Sequence, residues 1–417
     1  MEILKFLPLH KNNMIDFKDT LSKILQVSKP WKIENIEVHH PTKTVNVFID
    51  YEKGTLFPCS KCKKPSKAYD STYRTWRHLD ICDYRCYLNI KIPRTVCQND
   101  GVKVIEKLPF ARMNTHYSFQ FEQLIMKRIQ NVAVSTLAGE IGEPDNNLWR
   151  VFQHYIQEAL NSIDCSKTIR IGIDEKSYKK GHKYVTIFTD LDKASVIFVC
   201  EGKDESTLAR FYEKLFDMIG DPNNIKLICM DMSKSFISGQ KEYFSWAEVV
   251  FDKFHIKKSL NEAVNKVRKQ EVATNETLKN TKYLWLKNPC NLTSKQEDLL
   301  ATFLAESSTN TAKAYTCRIE FDQLWNVQQN AVEPLLKQWM DRCESINLSP
   351  LNKFVNTIKN HYQGVVKAMK SLFTNALSEG LNSVFQLAKF RARGFRNIDN
   401  FINMIYFTGN DFKFKFH

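Results

Sequence analysis

Two aspartates close apolar runs in this chain: Asp174 in IRIGIDE and Asp231 in IKLICMD. Such runs suit central strands buried on both faces. An Asp at the tip of a strand of that kind is held rigidly, with its carboxylate towards a crevice. Two neighbouring strands ending this way bring two carboxylates together, and these repel unless a cation lies between them. Mg²⁺ or Mn²⁺ fits, as a hard ion that prefers oxygen. Two such ions, ~3.5–4 Å apart, activate an attacking oxygen and stabilise a leaving oxygen at a phosphodiester. A third carboxylate is then wanted, and Glu379 is the candidate. At ~100° per residue, Leu377, Leu381, Val384, Phe385 and Ala388 form one apolar stripe, while Glu379, Asn382 and Gln386 fall opposite. Glu175 and Asp190 are rival acids. Taken singly, each acid reads equally well as a turn former, a helix cap or a solvated side chain; the ordered set is what is specific.

The elements that must position these acids are legible in outline. TIRIGIDE, YVTIFTDL and SVIFVCEG read as strands, with KSYKKGHK as a turn between the first two. ESTLARFYEKLFDMIG is an amphipathic helix with Leu208, Phe211, Tyr212, Leu215 and Ile219 near one face. IKLICMDM and AEVVFDKFH follow as strands, the last running into the helix IKKSLNEAVNKVRKQ. Three strands, a helix and a strand ending in Asp open an RNase H-like fold. Residues 256–375 read as mostly helical, and TNALSEGLNSVFQLAKF as a final helix before the basic stretch RARGFRN. Upstream, WKIENIEVHH and KTVNVFIDYE alternate as strands, and FEQLIMKRIQ, VSTLAGEIG and NNLWRVFQHYIQEAL have helical spacing.

Bulk composition bounds the partners. The 417 residues suffice for two to four domains. The formal net charge of +14 favours a polyanion, nucleic acid first. No apolar run approaches the ~20 residues that span a bilayer, and the start lacks the marks of a secretory signal. The 11 cysteines, an odd number, suit reduced thiols. A cytosolic protein with no membrane partner is the expectation.

Taken together, CSKC, RHLD, IGIDE, KKGHKYVTIFTDLD, CMDMSKSF, VVFDKFHIKKSLNEAVNKVR, YLWLKNPCNLT and TNALSEGLNSVFQLAKFRARGFRNIDNF, in that order over nearly the whole chain, resemble bacterial insertion-sequence transposases of the ISL-three family, part of the DDE group. The resemblance implies that Asp174, Asp231 and Glu379 are the catalytic, Mg²⁺-binding triad. It also implies that the RNase H-like core is split by a helical insertion. The gap from Asp231 to Glu379, more than twice that from Asp174 to Asp231, leaves room for one. DKFH resembles a signature found in several DDE groups, with Asp252 near the site and His255 placed to position a phosphate or a carboxylate.

Cys59 and Cys62 form a CxxC pair, the first half of a zinc knuckle. Where the family has a second pair, this chain reads Cys97-Gln-Asn-Asp100, with Asp in place of Cys. Cys59, Cys62, Cys97 and Asp100 are the resulting Zn²⁺ set, with Cys82, Cys86 and His78 as alternatives and plain structural thiols as the bland reading. Lys63, Lys64 and Arg77 lie in a basic stretch interleaved with Tyr69, Tyr73 and Trp76, which suits phosphate contacts. The helices around 131–157 resemble a helix-turn-helix whose second member offers Asn146, Asn147 and Arg150 to the major groove. Lys389, Arg391, Arg393 and Arg396, just past Glu379, suit the phosphate backbone. Trp285, Trp325 and Trp339 in the insertion read as core before they read as base-stacking platforms.

The expectation is an α/β protein: a zinc-finger-like β module over 1–111, a helix-turn-helix over 112–165, and an RNase H-like core over 166–258. A helical insertion over 259–370 and a final catalytic segment over 371–417 complete it. It would bind terminal inverted repeats and target DNA as a homodimer or larger assembly, cutting and joining strands with two Mg²⁺ or Mn²⁺ ions. An RNase H-like nuclease or resolvase, and an inactive domesticated DNA-binding protein, are the alternatives.

Overall fold

A computed structural model describes residues 17–99, 101–179, 181–305, 309–371, 374–393 and 395–416, the side chains of 17, 374–379 and 381 excepted. The chain divides into two compact units, residues 1–155 with 413–417, and residues 156–412.

The first unit opens with α1 (Phe17–Ile24) and six strands: β1 (Trp31–His39), β2 (Thr44–Tyr51), β3 (Leu56–Pro58), β4 (Pro65–Arg77), β5 (Arg85–Cys97) and β6 (Gly101–Val104). They form one sheet in the order β1-β2-β5-β4-β3, with β6 also on β5. Alternation along β5 buries Cys86, Leu88, Ile90 and Ile92 against Val47 and Ile49 of β2 and against Trp31 and Trp76. Trp76 is thus core rather than a stacking surface, whereas Tyr69 and Tyr73 are exposed. Three helices follow: α2 (Phe119–Ile129), α3 (Val134–Ile141) and α4 (Asp145–Leu160). Ser118 caps α2 by accepting from the Phe121 amide at 3.2 Å. Gly142 ends α3 in the left-handed region at φ +66°, where a Cβ would also strike the Arg85 guanidinium.

The second unit carries β7 (Arg170–Lys179), β8 (Lys183–Asp190), β9 (Ser195–Glu201), α5 (Ser206–Asp217), β10 (Leu227–Met230), α6 (Lys234–Tyr243) and β11 (Glu248–Phe251). The helices α7 (Lys253–Glu271), α8 (Lys282–Leu286), α9 (Ser294–Ala305), α10 (Asn310–Gln323), α11 (Val332–Ile346), α12 (Ser349–Asn360), α13 (Tyr362–Lys370), α14 (Thr374–Arg391) and α15 (Ile398–Gly409) follow. The sheet order is β11-β10-β7-β8-β9. β7, β8 and β9 form an antiparallel meander, and β10 and β11 add in parallel on the other side of β7. One apolar core joins Ile171, Ile228 and Met230 of the strands to Ile256, Trp285 and Phe321 of the helices. Trp285 and Trp339 are buried in it, and the Trp339 indole donates to the Cys317 carbonyl at 2.8 Å.

Several elements differ from the sequence reading. β7 runs on to Lys179, into what reads as a turn, and pairs with β8 from Ile171 to Lys179 with a bulge at Tyr178. Ile219 lies past the end of α5 and is exposed. α15 covers β9: the Val199 amide donates to the Tyr406 hydroxyl oxygen at 2.9 Å, and the Asn410 side-chain amide donates to the Val196 carbonyl at 3.0 Å. No described helix is long and apolar enough to cross a membrane.

Candidate active site and cysteine cluster

Asp174 sits mid-strand, opposite Ile187 of β8, and not at a strand tip. Its position is nevertheless that of a crevice, because β10 pairs with β7 only over Arg170–Gly172 and then stops. Past Gly172, β7 has lost its neighbour on that side. Asp231 follows the last residue of β10 directly, and its Oδ1 accepts from the Met232 amide at 2.6 Å. Asp252 follows β11 in the same way. It caps α7 by accepting from the Phe254 amide at 2.9 Å, and its other oxygen meets His255 Nδ1 at 2.9 Å.

The electrostatics of this group are unusual for a stable core. Asp174 is only 4% exposed, and neither oxygen takes a hydrogen bond. The Lys176 ammonium, two residues on and on the same strand face, approaches Oδ2 at 2.7 Å without hydrogen-bonding geometry. Burial raises the Asp174 carboxyl above its ordinary value against the pull of Lys176. Burial likewise raises Glu175, with Asp231 and Asp174 adding to it against Lys203. At His255, burial opposes the charged form, but the Asp252 hydrogen bond and the charges of Asp231 and Asp174 outweigh it and raise the imidazole. A carboxylate so deeply buried, with one lysine against its charge and further acids beside it, suits a divalent cation. Asp231 and His255 line a small cleft of about 260 Å³ with Lys258, Ser259, Glu262 and Thr357.

Glu379 lies on α14, which passes within 8 Å (Cα–Cα) of both β7 and α7. Its side chain falls outside the described residues. Asp190, a rival acid, is buried and occupied otherwise, accepting from the Thr168 hydroxyl at 2.7 Å and from the amides of Asp192 and Lys193. Lys176 went unnoticed in the sequence reading. Its signal was the two-residue spacing from Asp174, which places both on one strand face once KSYK is read as strand.

In the first unit the sulfurs of Cys59, Cys62 and Cys97 all lie within 4.8 Å of one another, with Cys62 and Cys97 3.3 Å apart. The turn after Cys59 closes with the Lys63 amide on the Cys59 carbonyl at 3.0 Å, Lys63 itself at φ +62°. Backbone amides of Cys62 and Lys61 lower the Cys59 thiol. At Cys62 the Lys64 amide pulls the same way, but the sulfurs of Cys97 and Cys59 outweigh it and push the thiol up to about 11. Three converging thiols with amide donors suit Zn²⁺. Asp100, the expected fourth ligand, lies outside the described residues. The alternatives are placed elsewhere: Cys82 is exposed, Cys86 is in the sheet core, and His78 pairs with the Ser118 hydroxyl at 2.8 Å.

The basic residues divide. Lys64, Asn146, Arg150, Lys389, Arg393 and Arg396 are exposed. Lys63 is exposed and ion-paired with Glu106. Asn147 is half-buried beside the Tyr117 hydroxyl. Arg77 is corrected as a DNA contact. It is 3% exposed, ion-paired with Asp80 and Glu143, and stacked over Phe121 at 5.1 Å, so it ties β4 to α2 and offers nothing to a phosphate. Arg391 also turns inward, reaching the Thr408 hydroxyl at 3.4 Å.

Comparisons with known proteins cover both regions. Residues 171–405 match the ISL3 family model described as a transposase, and residues 55–100 match one described as the zinc-finger of transposase IS204/IS1001/IS1096/IS1165. The transposase for insertion sequence element IS1001 of Bordetella parapertussis is 23% identical over 93% of this chain and 98% of its own length. The transposase for insertion sequence element IS1557 of Mycobacterium tuberculosis (strain H37Rv) is 24% identical over 90% of this chain and 91% of its own.

Proposed function

We propose, for a chain that belongs to the ISL3 family of transposases, that it cuts and rejoins DNA at the ends of its own element with Asp174, Asp231 and Glu379 as the metal-holding acids. The observation that carries this reading is Asp174: a carboxylate buried without a hydrogen bond, with the Lys176 ammonium for company, whose charge acts together with that of Asp231 on His255, a residue that lines a crevice with Asp231. The strand order β11-β10-β7-β8-β9 supports an RNase H-like core over 166–258 and 371–417, with the helices of 259–370 as the insertion. α14, close to β7, supports Glu379 as the third acid.

Bound Mg²⁺ or Mn²⁺ supplies charge stabilisation at the attacking and leaving oxygens. Asp174 and Asp231 hold the ions from rigid strands. Asp252 fixes the His255 ring through Nδ1, leaving its other nitrogen to orient a phosphate oxygen. Water attacks the phosphodiester at the element end and frees a 3′-hydroxyl, which then attacks the target strand. No covalent enzyme intermediate is needed.

Cys59, Cys62, Cys97 and Asp100 hold Zn²⁺ in the module over 1–111. The α3–α4 pair, within 112–165, acts as the helix-turn-helix, with Asn146, Asn147 and Arg150 towards the groove. Together they recognise the terminal inverted repeats in duplex DNA, and two ends cut in concert call for a homodimer or larger assembly in the bacterial cytoplasm.

The test is strand cleavage and joining on DNA carrying the element's ends, with Mg²⁺ or Mn²⁺, for wild type beside Asp231→Ala. Cutting and joining by wild type alone, with end binding kept in both, upholds the reading. Cutting without joining points to a nuclease. Binding without cutting under either metal points to an inactive DNA-binding protein.

A further inference from the structure

Lys176 stands beside the carboxylate site, and the proposed chemistry leaves it without a part. It lies two residues past Asp174 on β7, opposite Val185 of β8, so both side chains leave the same face of the sheet. Its ammonium is 2.7 Å from Asp174 Oδ2. The Lys176 side chain is 14% exposed and that of Asp174 5%. Ion pairs this deep give a fold little, because the lost hydration of both charges offsets their attraction. Here the bridge also lacks hydrogen-bonding geometry. A weak stabiliser set on a deeply placed acid points to another role.

That role follows from charge and distance. Mg²⁺ takes a carboxylate oxygen at ~2.0–2.1 Å. An ion on Asp174 Oδ2 therefore stands no more than about 4.8 Å from the ammonium in its present place. Two cations that close, with little water between them, repel strongly. Lys176 and a divalent ion thus compete for Asp174. Lys176 is the more exposed of the pair and has a flexible four-carbon stem, so it is the member that can withdraw. It then needs another anion. Glu201, in the same cross-strand row through Val185, already takes the Tyr178 hydroxyl. Asp252 is held by the Phe254 amide and His255. A phosphate of bound DNA is the anion that the reaction itself brings to the site.

We propose that Lys176 holds Asp174 Oδ2 until a DNA phosphate draws the ammonium away, so that ion loading at Asp174 waits for DNA. This rests on the transposase reading. Lys176 is then a positioning residue that links two binding events. Linkage is reciprocal, so a loaded ion tightens the grip on DNA by the same factor. Away from DNA, Lys176 keeps the site from assembling.

The test follows Mn²⁺ binding to the full chain by the loss of the free ion's paramagnetic resonance signal. Without DNA, Lys176→Met should bind Mn²⁺ about tenfold more tightly than wild type, and Lys176→Arg, which keeps the charge, should match wild type. Asp174→Ala assigns the ion to this site by losing it. A lysine with a merely structural part would loosen ion binding when replaced, not tighten it. Adding duplex that carries the element's ends should raise Mn²⁺ affinity in wild type, and about tenfold less so in Lys176→Met. In the wild type alone, acetylation of Lys176 by a water-soluble active ester, located by peptide mass, should rise several-fold when Mn²⁺ is added. That measurement holds even if Lys176→Met fails to fold. Equal Mn²⁺ affinity in wild type and Lys176→Met, or Lys176 acetylation indifferent to Mn²⁺, overturns the proposal. If that happens while Asp174→Ala loses the ion and the element's ends are still cut, the transposase reading stands without it. If Asp174→Ala binds Mn²⁺ as wild type does and no DNA is cut, both fall.

Discussion

The cysteine cluster and the carboxylate site are built on opposite principles. In the first unit three sulfurs converge within 4.8 Å around one turn and the end of one strand, backed by amide donors. Three thiols are already in place, as in a structural site that closes on its ion. In the second unit, by contrast, the described acids form no three-ligand group of that tightness. Asp174 is buried without a hydrogen bond and faces the Lys176 ammonium, Asp231 and Asp252 follow two other strands, and the helix of Glu379 comes from far along the chain. Thiolates close together hold a fold; carboxylates held apart keep room for ions, water and a DNA strand. The burial of the Asp174 charge, which Lys176 only partly offsets, is a cost consistent with that purpose.

The sharpest way to break this contrast is Asp174→Asn. If the carboxylate is there for chemistry, the substitution should lower cleavage by ~10³-fold or more. It should also raise the metal-free protein's stability by about 1 kcal/mol, since it removes the burial cost of a carboxylate that the Lys176 ammonium only partly offsets. Cleavage assays and thermal unfolding with and without Mg²⁺ check both. A stability loss with activity kept would make Asp174 an ordinary structural acid.

Cys59→Ser tests the other side. It should release the zinc and destabilise the strand module on the order of several kcal/mol, read by metal analysis and by unfolding of the first unit. Retained zinc would mean that the three thiols are not the ligands.

A smaller effect comes from His78, whose burial, aided by the Arg77 charge, lowers it to about 4. The unfolded chain takes up this proton near pH 6.5, and the folded chain does so only near 4. The folded state is therefore fully favoured above pH 6.5 and loses up to roughly 3 kcal/mol as pH falls from 6.5 to 4. His78→Gln should flatten that limb in the unfolding of the first unit, and an unchanged limb would place the acid sensitivity elsewhere. Smallest of all, Arg150→Ala should weaken DNA-end binding by about 1 kcal/mol without touching cleavage at saturating protein. Equal loss on every sequence would make Arg150 a phosphate contact and not a base contact.

Period and chemistry made much of this molecule legible. The apolar runs IRIGI and IKLICM are strands, the helices from Lys253 onward are helices, and Cys59 and Cys62 do meet Cys97. What misled was local. KSYKKGHK looks like a turn because Lys and Gly dominate it, yet its first residues stay paired because β8 supplies partners to Tyr178's neighbours up to Lys179. Arg77 looks like a phosphate ligand because its neighbours are basic, but Glu143 and Asp80 draw it inside. Burial of that kind depends on acids distant in sequence or hidden by a turn, and no periodicity reports it. Which of the acids would share a crevice depended on where β10 stops, a matter of pairing and not of pattern.

The contact between α15 and β9 reaches further than packing. A sheet that ends in a bare strand offers its amides and carbonyls to any other bare strand, including that of a second copy. Here Tyr406 and Asn410 occupy the Val199 amide and the Val196 carbonyl. At those positions the sheet cannot be lengthened by an incoming chain. Under the proposed function, in which several copies gather on one DNA, those copies could then crowd together without zipping through their backbones at these positions.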